Sequence, residues 1–137
     1  MQLNAKNFYT PVSPELLPPK DGEIQQKTEE LVGPYELHDF FLFHMLRRGA
    51  PPRKLLRLAA YAFRGEYGPE EIEKWLRAFI TRLVSQQFKR NSLPDGVGVG
   101  TISVSPRGGW QLPSDASAGL LLGDLDTHED NHQFRGF

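Results

Sequence analysis

With 137 residues, 39% of them hydrophobic, the chain has the size of one ordinary domain and apolar mass for a modest core. Its formal net charge of −1 argues against a dedicated nucleic-acid binder, which carries a basic excess. With no cysteine, a disulfide framework, a thiolate nucleophile and Cys-ligated zinc are excluded; no apolar run approaches a membrane span, and the chain reads as soluble and cytoplasmic.

Residues 1–33 carry little periodic signal. The stretch TPVSPELLPPKDGE holds Pro11, Pro14, Pro18 and Pro19. Prolines remove backbone donors and push their predecessors out of helical geometry, so the segment reads as a linker. Three helices are predicted over 34–90. In GPYELHDFFLFHMLRRG, Pro34 suits a first helical position and Glu36 complements the positive helix end. Arg47 and Arg48 complement the negative end, and Gly49 supplies a stop. Leu37, Phe41 and Leu46, with Phe40 and Phe43, leave little polar face and predict a mostly buried helix. PPRKLLRLAAYAFRG repeats the arrangement between Pro52 and Gly65.

The third helix, Pro69 to about Arg90, has the clearest pattern. Ile72, Trp75, Leu76, Phe79, Ile80, Leu83, Val84 and Phe88 fall at spacings of three and four. Glu70, Glu71 and Glu73 open it, and Lys89 and Arg90 close it. Burial is worth roughly 1.5–3 kcal/mol per large apolar side chain, against ~0.3–1 kcal/mol for each terminal charge. The helix therefore rests on its stripe, and its basic end is free for another purpose.

Beyond residue 90 the character changes. LPDGVGVGTISVSPRGGWQLPSDAS is glycine-rich, with one short strand candidate, Val99 to Val104, and a turn at Pro106-Arg107-Gly108-Gly109. Ser114 is a candidate cap for a last short helix through DASAGLLL. From Asp124 the chain is polar and reads as a disordered tail. The organisation is then a linker over 1–33, a helical region over 34–123 and a tail over 124–137.

Few residues suggest chemistry. His128-Glu129-Asp130-Asn131-His132 fits the zinc-binding pattern H-E-x-x-H, but Asp130 and Asn131 are weak helix formers and no third ligand follows, so a solvated tail is the better reading. His38 and His44 flank the most apolar helix without a serine or cysteine at catalytic spacing, and read as edge or core residues. The arginines of RRGAPPRKLLR read as a solvated, salt-bridged face. Two readings stand for Lys89 and Arg90. They complement a helix end, or they join Arg107 and pliable glycine backbone in gripping a phosphate.

The stretches SPELLPPKDGEIQQKTEELVGPYELHDFF, AFRGEY, QQFKR, LPDG and SPRGGWQLPSDAS, spread over residues 13–118, resemble the carboxy-terminal portion of the synthetase domain of glutamine-dependent NAD synthetases. The resemblance implies a mainly α fold, the helical C-terminal part of an adenine-nucleotide α-hydrolase-like (ATP pyrophosphatase) α/β domain, with a Gly-rich loop and one short strand. It implies amidation of deamido-NAD to NAD, with ATP and Mg2+ as co-substrates and glutamine-derived ammonia. The family's glutaminase cysteine and its S-G-G-x-D-S pyrophosphatase loop have no counterpart in this chain. That implies a fragment, inactive alone, whose partners are the remaining synthetase and glutaminase parts, in a homo-oligomer without nucleic acid, membrane or metal bound to this chain.

Carried over by position, Ser13 and Glu29 are expected at ATP, while Phe88, Lys89, Arg90 and Arg107 are expected at deamido-NAD. The chain departs from the family pattern at Pro14, where alanine is usual. It departs again at Val97-Gly98 for Pro-Lys, Gly109 for aspartate and Gln111 for arginine. The alternative class is a small helical interaction module with no catalytic role.

Overall fold

The computed structural model describes residues 33–98 and 100–127. Five α-helices are found among them: α1 Tyr35–Leu42, α2 Pro52–Ala62, α3 Pro69–Ser85, α4 Gln87–Asn91 and α5 Gly119–Asp126. Among the described residues none is long and apolar enough to cross a membrane.

Each of the first three helices starts on a proline signal. Pro34 is the N-cap of α1, and Pro52 and Pro69 occupy the first turns of α2 and α3, where a missing N–H costs nothing. The helix begun by α1 continues through a π-turn at Phe43–Arg47 and stops where Gly49 takes φ +62°. Its buried line is Leu37, Phe41 and Met45, four residues apart. The expectation of a mostly buried helix needs correction. Phe40 is half-buried and Phe43 is 41% exposed, with the Arg48 guanidinium 5.8 Å from its ring centre.

Helix α3 is the hub, touching α1, α2, α4 and α5. Its stripe of Ile72, Leu76, Phe79, Ile80, Leu83 and Val84 is buried. Trp75 is only half-buried, on the flank of that stripe. Its ring lies between the Lys74 ammonium, 4.6 Å away, and the backbone of Gly33, where an added Cβ would sit 2.5 Å from the indole. Gly33 also takes φ +95°, so glycine is required there twice over.

Three further expectations are corrected. The third helix does not run unbroken to Arg90, because it stops at Ser85 and restarts as α4. No strand forms among the described residues; Val99 lies outside them, and residues 100–105 are bends and irregular chain. A strand needs a neighbour, and the backbone bonds made to this stretch, Trp110 N–H to the Ser103 oxygen at 3.2 Å and Gly109 N–H to the Ser105 oxygen at 3.0 Å, close turns instead. Val104 and Trp110 hold the stretch in place by packing on the core instead.

The last helix starts at Gly119 rather than near Ser114, and it runs through Asp124 to Asp126 instead of fraying. Leu125 is fully buried, which fixes α5 on the bundle. Two carboxylates then bind it at either side. Asp124 Oδ2 accepts the Arg53 backbone N–H at 2.8 Å, and Asp126 pairs with Arg77 at 2.7 Å. The first of these does a capping residue's work, because Arg53 lies in the first turn of α2 and the N-cap Pro51 makes no side-chain cap bond.

Candidate functional site

The helix break puts the basic pair of the sequence into two different environments. At the end of α3 the Gln86 N–H still bonds Arg82 O at 3.0 Å. The next carbonyl, that of Leu83, accepts the Arg90 guanidinium, which also donates to Gln87 Oε1 at 2.7 Å. Arg90 thus folds back along its own chain to serve a helix-terminal carbonyl. Its burial pushes the guanidinium pKa down from the ordinary arginine value. Its Nε is buried with no partner among the described residues.

Gln87 is fully buried, and its Nε2 donates to Asn91 Oδ1 at 2.7 Å. Asn91 in turn donates to Ser114 Oγ at 2.8 Å and to the Leu112 oxygen at 3.3 Å, which links α4 to the segment after the glycine-rich loop. Phe88 and Lys89 face the other way. The Phe88 ring is 50% exposed, Lys89 is exposed, and the ammonium lies 5.8 Å from the ring centre. An exposed phenyl ring with a cation beside it can stack a planar heterocycle and hold a nearby anion.

Arg107 is also engaged internally. It pairs with Asp95 at 2.5 Å and donates to the Leu93 oxygen at 2.5 Å, clasping the LPDG turn to the SPRGG turn. The second turn is tight. Gly108 takes φ +110°, and an added Cβ at Gly109 would sit 2.3 Å from the Ser103 oxygen. That oxygen belongs to backbone and cannot swing away, so this closure admits no side chain at 109, including the aspartate usual in the resembling family.

The structure therefore brings Phe88, Lys89 and Arg90 into one turn and Arg107 onto the loop that follows, but only Phe88 and Lys89 are presented outward. Ser13 and Glu29 lie outside the described residues, as does the H-E-x-x-H stretch. His38 packs against Phe79 at 5.6 Å and His44 against Phe40 at 4.3 Å, inside the aromatic cluster of α1. Among the described residues no three His, Asp or Glu side chains group to hold a metal. A broad cleft of about 1340 Å³ between α2, the start of α3 and the end of α5 is lined by Arg53, Lys54, Tyr61, Glu70, Glu73 and Asp124, among others, and contains none of the sequence-predicted site residues. Gln87 and Asn91 were not singled out by sequence reasoning. The signal was a polar residue four places after Leu83, where the stripe calls for an apolar one.

No family model matches the chain. Curated relatives do. A protein named glutamine-dependent NAD(+) synthetase from Mycobacterium leprae (strain TN) is 38% identical over a stretch that covers 85% of this chain and 20% of the relative. Proteins of the same name from Mycobacterium bovis and Mycobacterium tuberculosis are 40% identical over the same shares. Over most of its length this chain is similar to glutamine-dependent NAD(+) synthetases. It spans about a fifth of the length of the synthetases that it matches. The exposed phenyl ring of Phe88 and the buried amide of Gln87 run against the usual preference of these residue types.

Proposed function

We propose that this chain contributes the dinucleotide-contacting helical part of an NAD synthetase, in the amidation of deamido-NAD to NAD. In this reading the chain belongs to an adenine-nucleotide α-hydrolase-like (ATP pyrophosphatase) domain. Phe88 stacks on a ring of deamido-NAD and the Lys89 ammonium meets its phosphates. Arg90 and Arg107 act one step back by holding the backbone on either side. Ser13 and Glu29 belong at ATP. Mg2+ arrives with ATP as a co-substrate, and no residue of this chain is assigned to it.

The observation that carries the reading is the pairing of Phe88 and Lys89 on the solvent side of a short helix, in a chain similar to synthetases. The chain holds no cysteine and no S-G-G-x-D-S stretch. Glutamine hydrolysis and adenylation would therefore be supplied by residues outside these 137, and the purified chain would make no NAD from deamido-NAD, ATP and ammonia. Assembly with the rest of a synthetase, in a cytoplasmic homo-oligomer, completes the proposal.

The test is a chimera in which residues 13–118 replace the matching part of a mycobacterial synthetase. A lysine–phosphate contact is a charge-assisted hydrogen bond of roughly 1.5–3 kcal/mol, so Lys89→Ala should weaken deamido-NAD binding about tenfold or more. Thermal stability should hardly change, because Lys89 is exposed and contributes nothing to the core. Normal binding with a lower melting temperature would make Lys89 a helix-end charge and sink the proposal.

A further inference from the structure

Helix α4 inverts the ordinary division between inside and outside. Gln87 stands where the α3 stripe would place its next apolar residue, and it is fully buried. Its neighbour Phe88 is 50% exposed. Burying an amide and exposing a phenyl ring are each unfavourable, and both occur within one turn.

Both ends of the amide are engaged. Its oxygen accepts from Arg90 and its nitrogen donates to Asn91, each at 2.7 Å. Arg90 carries the network back to the Leu83 carbonyl at the end of α3. Asn91 carries it forward to Leu112 and Ser114. One buried side chain therefore ties the end of the long helix, the short helix and the downstream segment together. Such a network specifies geometry more than it adds stability, because an apolar group of similar size satisfies the same space without desolvating an amide.

We infer that Gln87 is a positioning residue: by bridging Arg90 and Asn91 it holds α4 in the orientation that turns Phe88 and Lys89 outward, and it couples that orientation to the segment at 112–114. The inference rests on the proposed reading only for what Phe88 and Lys89 touch. The coupling itself is a property of the chain alone, and it is measured without ligand.

The experiment compares the full chain with Gln87→Leu and Gln87→Glu, by amide hydrogen exchange, by melting temperature and by titration with deamido-NAD. Leucine fits the buried site, so Gln87→Leu should melt at the wild-type temperature or above. Its exchange should nevertheless quicken by about fivefold or more at Lys89 and Ser92, whose N–H groups bond Gln86 and Phe88 oxygens, and at Ala116, whose N–H bonds the Pro113 oxygen. Gln87→Glu keeps the acceptor for Arg90 as a charge-assisted bond and should restore protection at Lys89 and Ser92. Where wild type binds deamido-NAD, the dissociation constant should follow the exchange, weaker in the leucine variant and recovered in the glutamate variant.

Wild-type exchange at Lys89, Ser92 and Ala116 in Gln87→Leu would overturn the inference. So would a loss of protection spread over α1, α2 and α3 with a lower melting temperature, which would make Gln87 a packing residue. If the exchange pattern appears but the chimera carrying residues 13–118 ignores deamido-NAD, the ligand reading fails while the positioning role stands.

Discussion

At Tyr67 a single hydrogen bond reshapes a titration. Its hydroxyl donates to the Glu36 carboxylate, and that bond, followed by desolvation and the nearby carboxylate charges, pushes the phenol from 10.0 up to about 12. A phenol whose folded pKa is raised favours the folded state fully below about pH 10, and that contribution is lost as pH rises towards 12. Glu36→Gln removes the charge and weakens the acceptor. Ring carbon NMR of Tyr67 should then titrate markedly closer to 10 than in wild type, and an unchanged midpoint would show that Glu36 does not set the shift. Arginines show the complementary lesson. Arg90 and Arg107 look on paper like a ready pair of phosphate ligands, yet each spends its donors on a backbone carbonyl and on a side chain of this chain, Gln87 or Asp95.

Between elements, α5 is held by contacts of unequal weight. Asp124 accepts a first-turn N–H of α2, bonds the same residue's guanidinium at 3.5 Å and is partly shielded. Asp126 makes an ion pair with Arg77 from a more exposed position, its side chain 62% accessible. Losing a capping acceptor costs about 0.5–2 kcal/mol, whereas an exposed pair is worth under about 1 kcal/mol and is screened by salt. Asp124→Ala should therefore lower the urea midpoint more than Asp126→Ala does, and the second effect should fade more completely in high salt. Equal losses in both variants would mean that Asp124 acts as one more surface charge. The break between α3 and α4 belongs to this scale as well. It contains neither proline nor glycine, and there the Leu83 carbonyl accepts the Arg90 guanidinium, at the point where the stripe meets two glutamines.

For the molecule as a whole, the helices were legible because their signals are local. Proline at helix starts, glycine with positive φ at Gly49 and Gly65, and spacing of three and four along Ile72–Val84 need no knowledge of what lies across the bundle. Long-range partners were not legible. Nothing in the spacing of DLD shows that Asp124 reaches Arg53, 71 residues away, and so the end of α5 reads as a tail. The strand at Val99–Val104 was suggested by β-branched residues, but propensity cannot supply a pairing neighbour. The candidate site was half legible. The resemblance pointed to Phe88 and Lys89, and the structure turns both outward, while the inward roles of Gln87, Arg90 and Asn91 depend on a helix break that no local signal announces. We propose that this outward turn of α4, and not the cleft beside α2, meets the dinucleotide. The most direct measurement is a titration of the isotope-labelled chain with deamido-NAD, followed residue by residue through amide shifts. Shifts should concentrate at Gln87–Asn91 and in the loop around Arg107, and should be lost in Lys89→Ala. Shifts centred instead on Tyr61, Glu70 and Glu73 in the cleft, unchanged by Lys89→Ala, would contradict it.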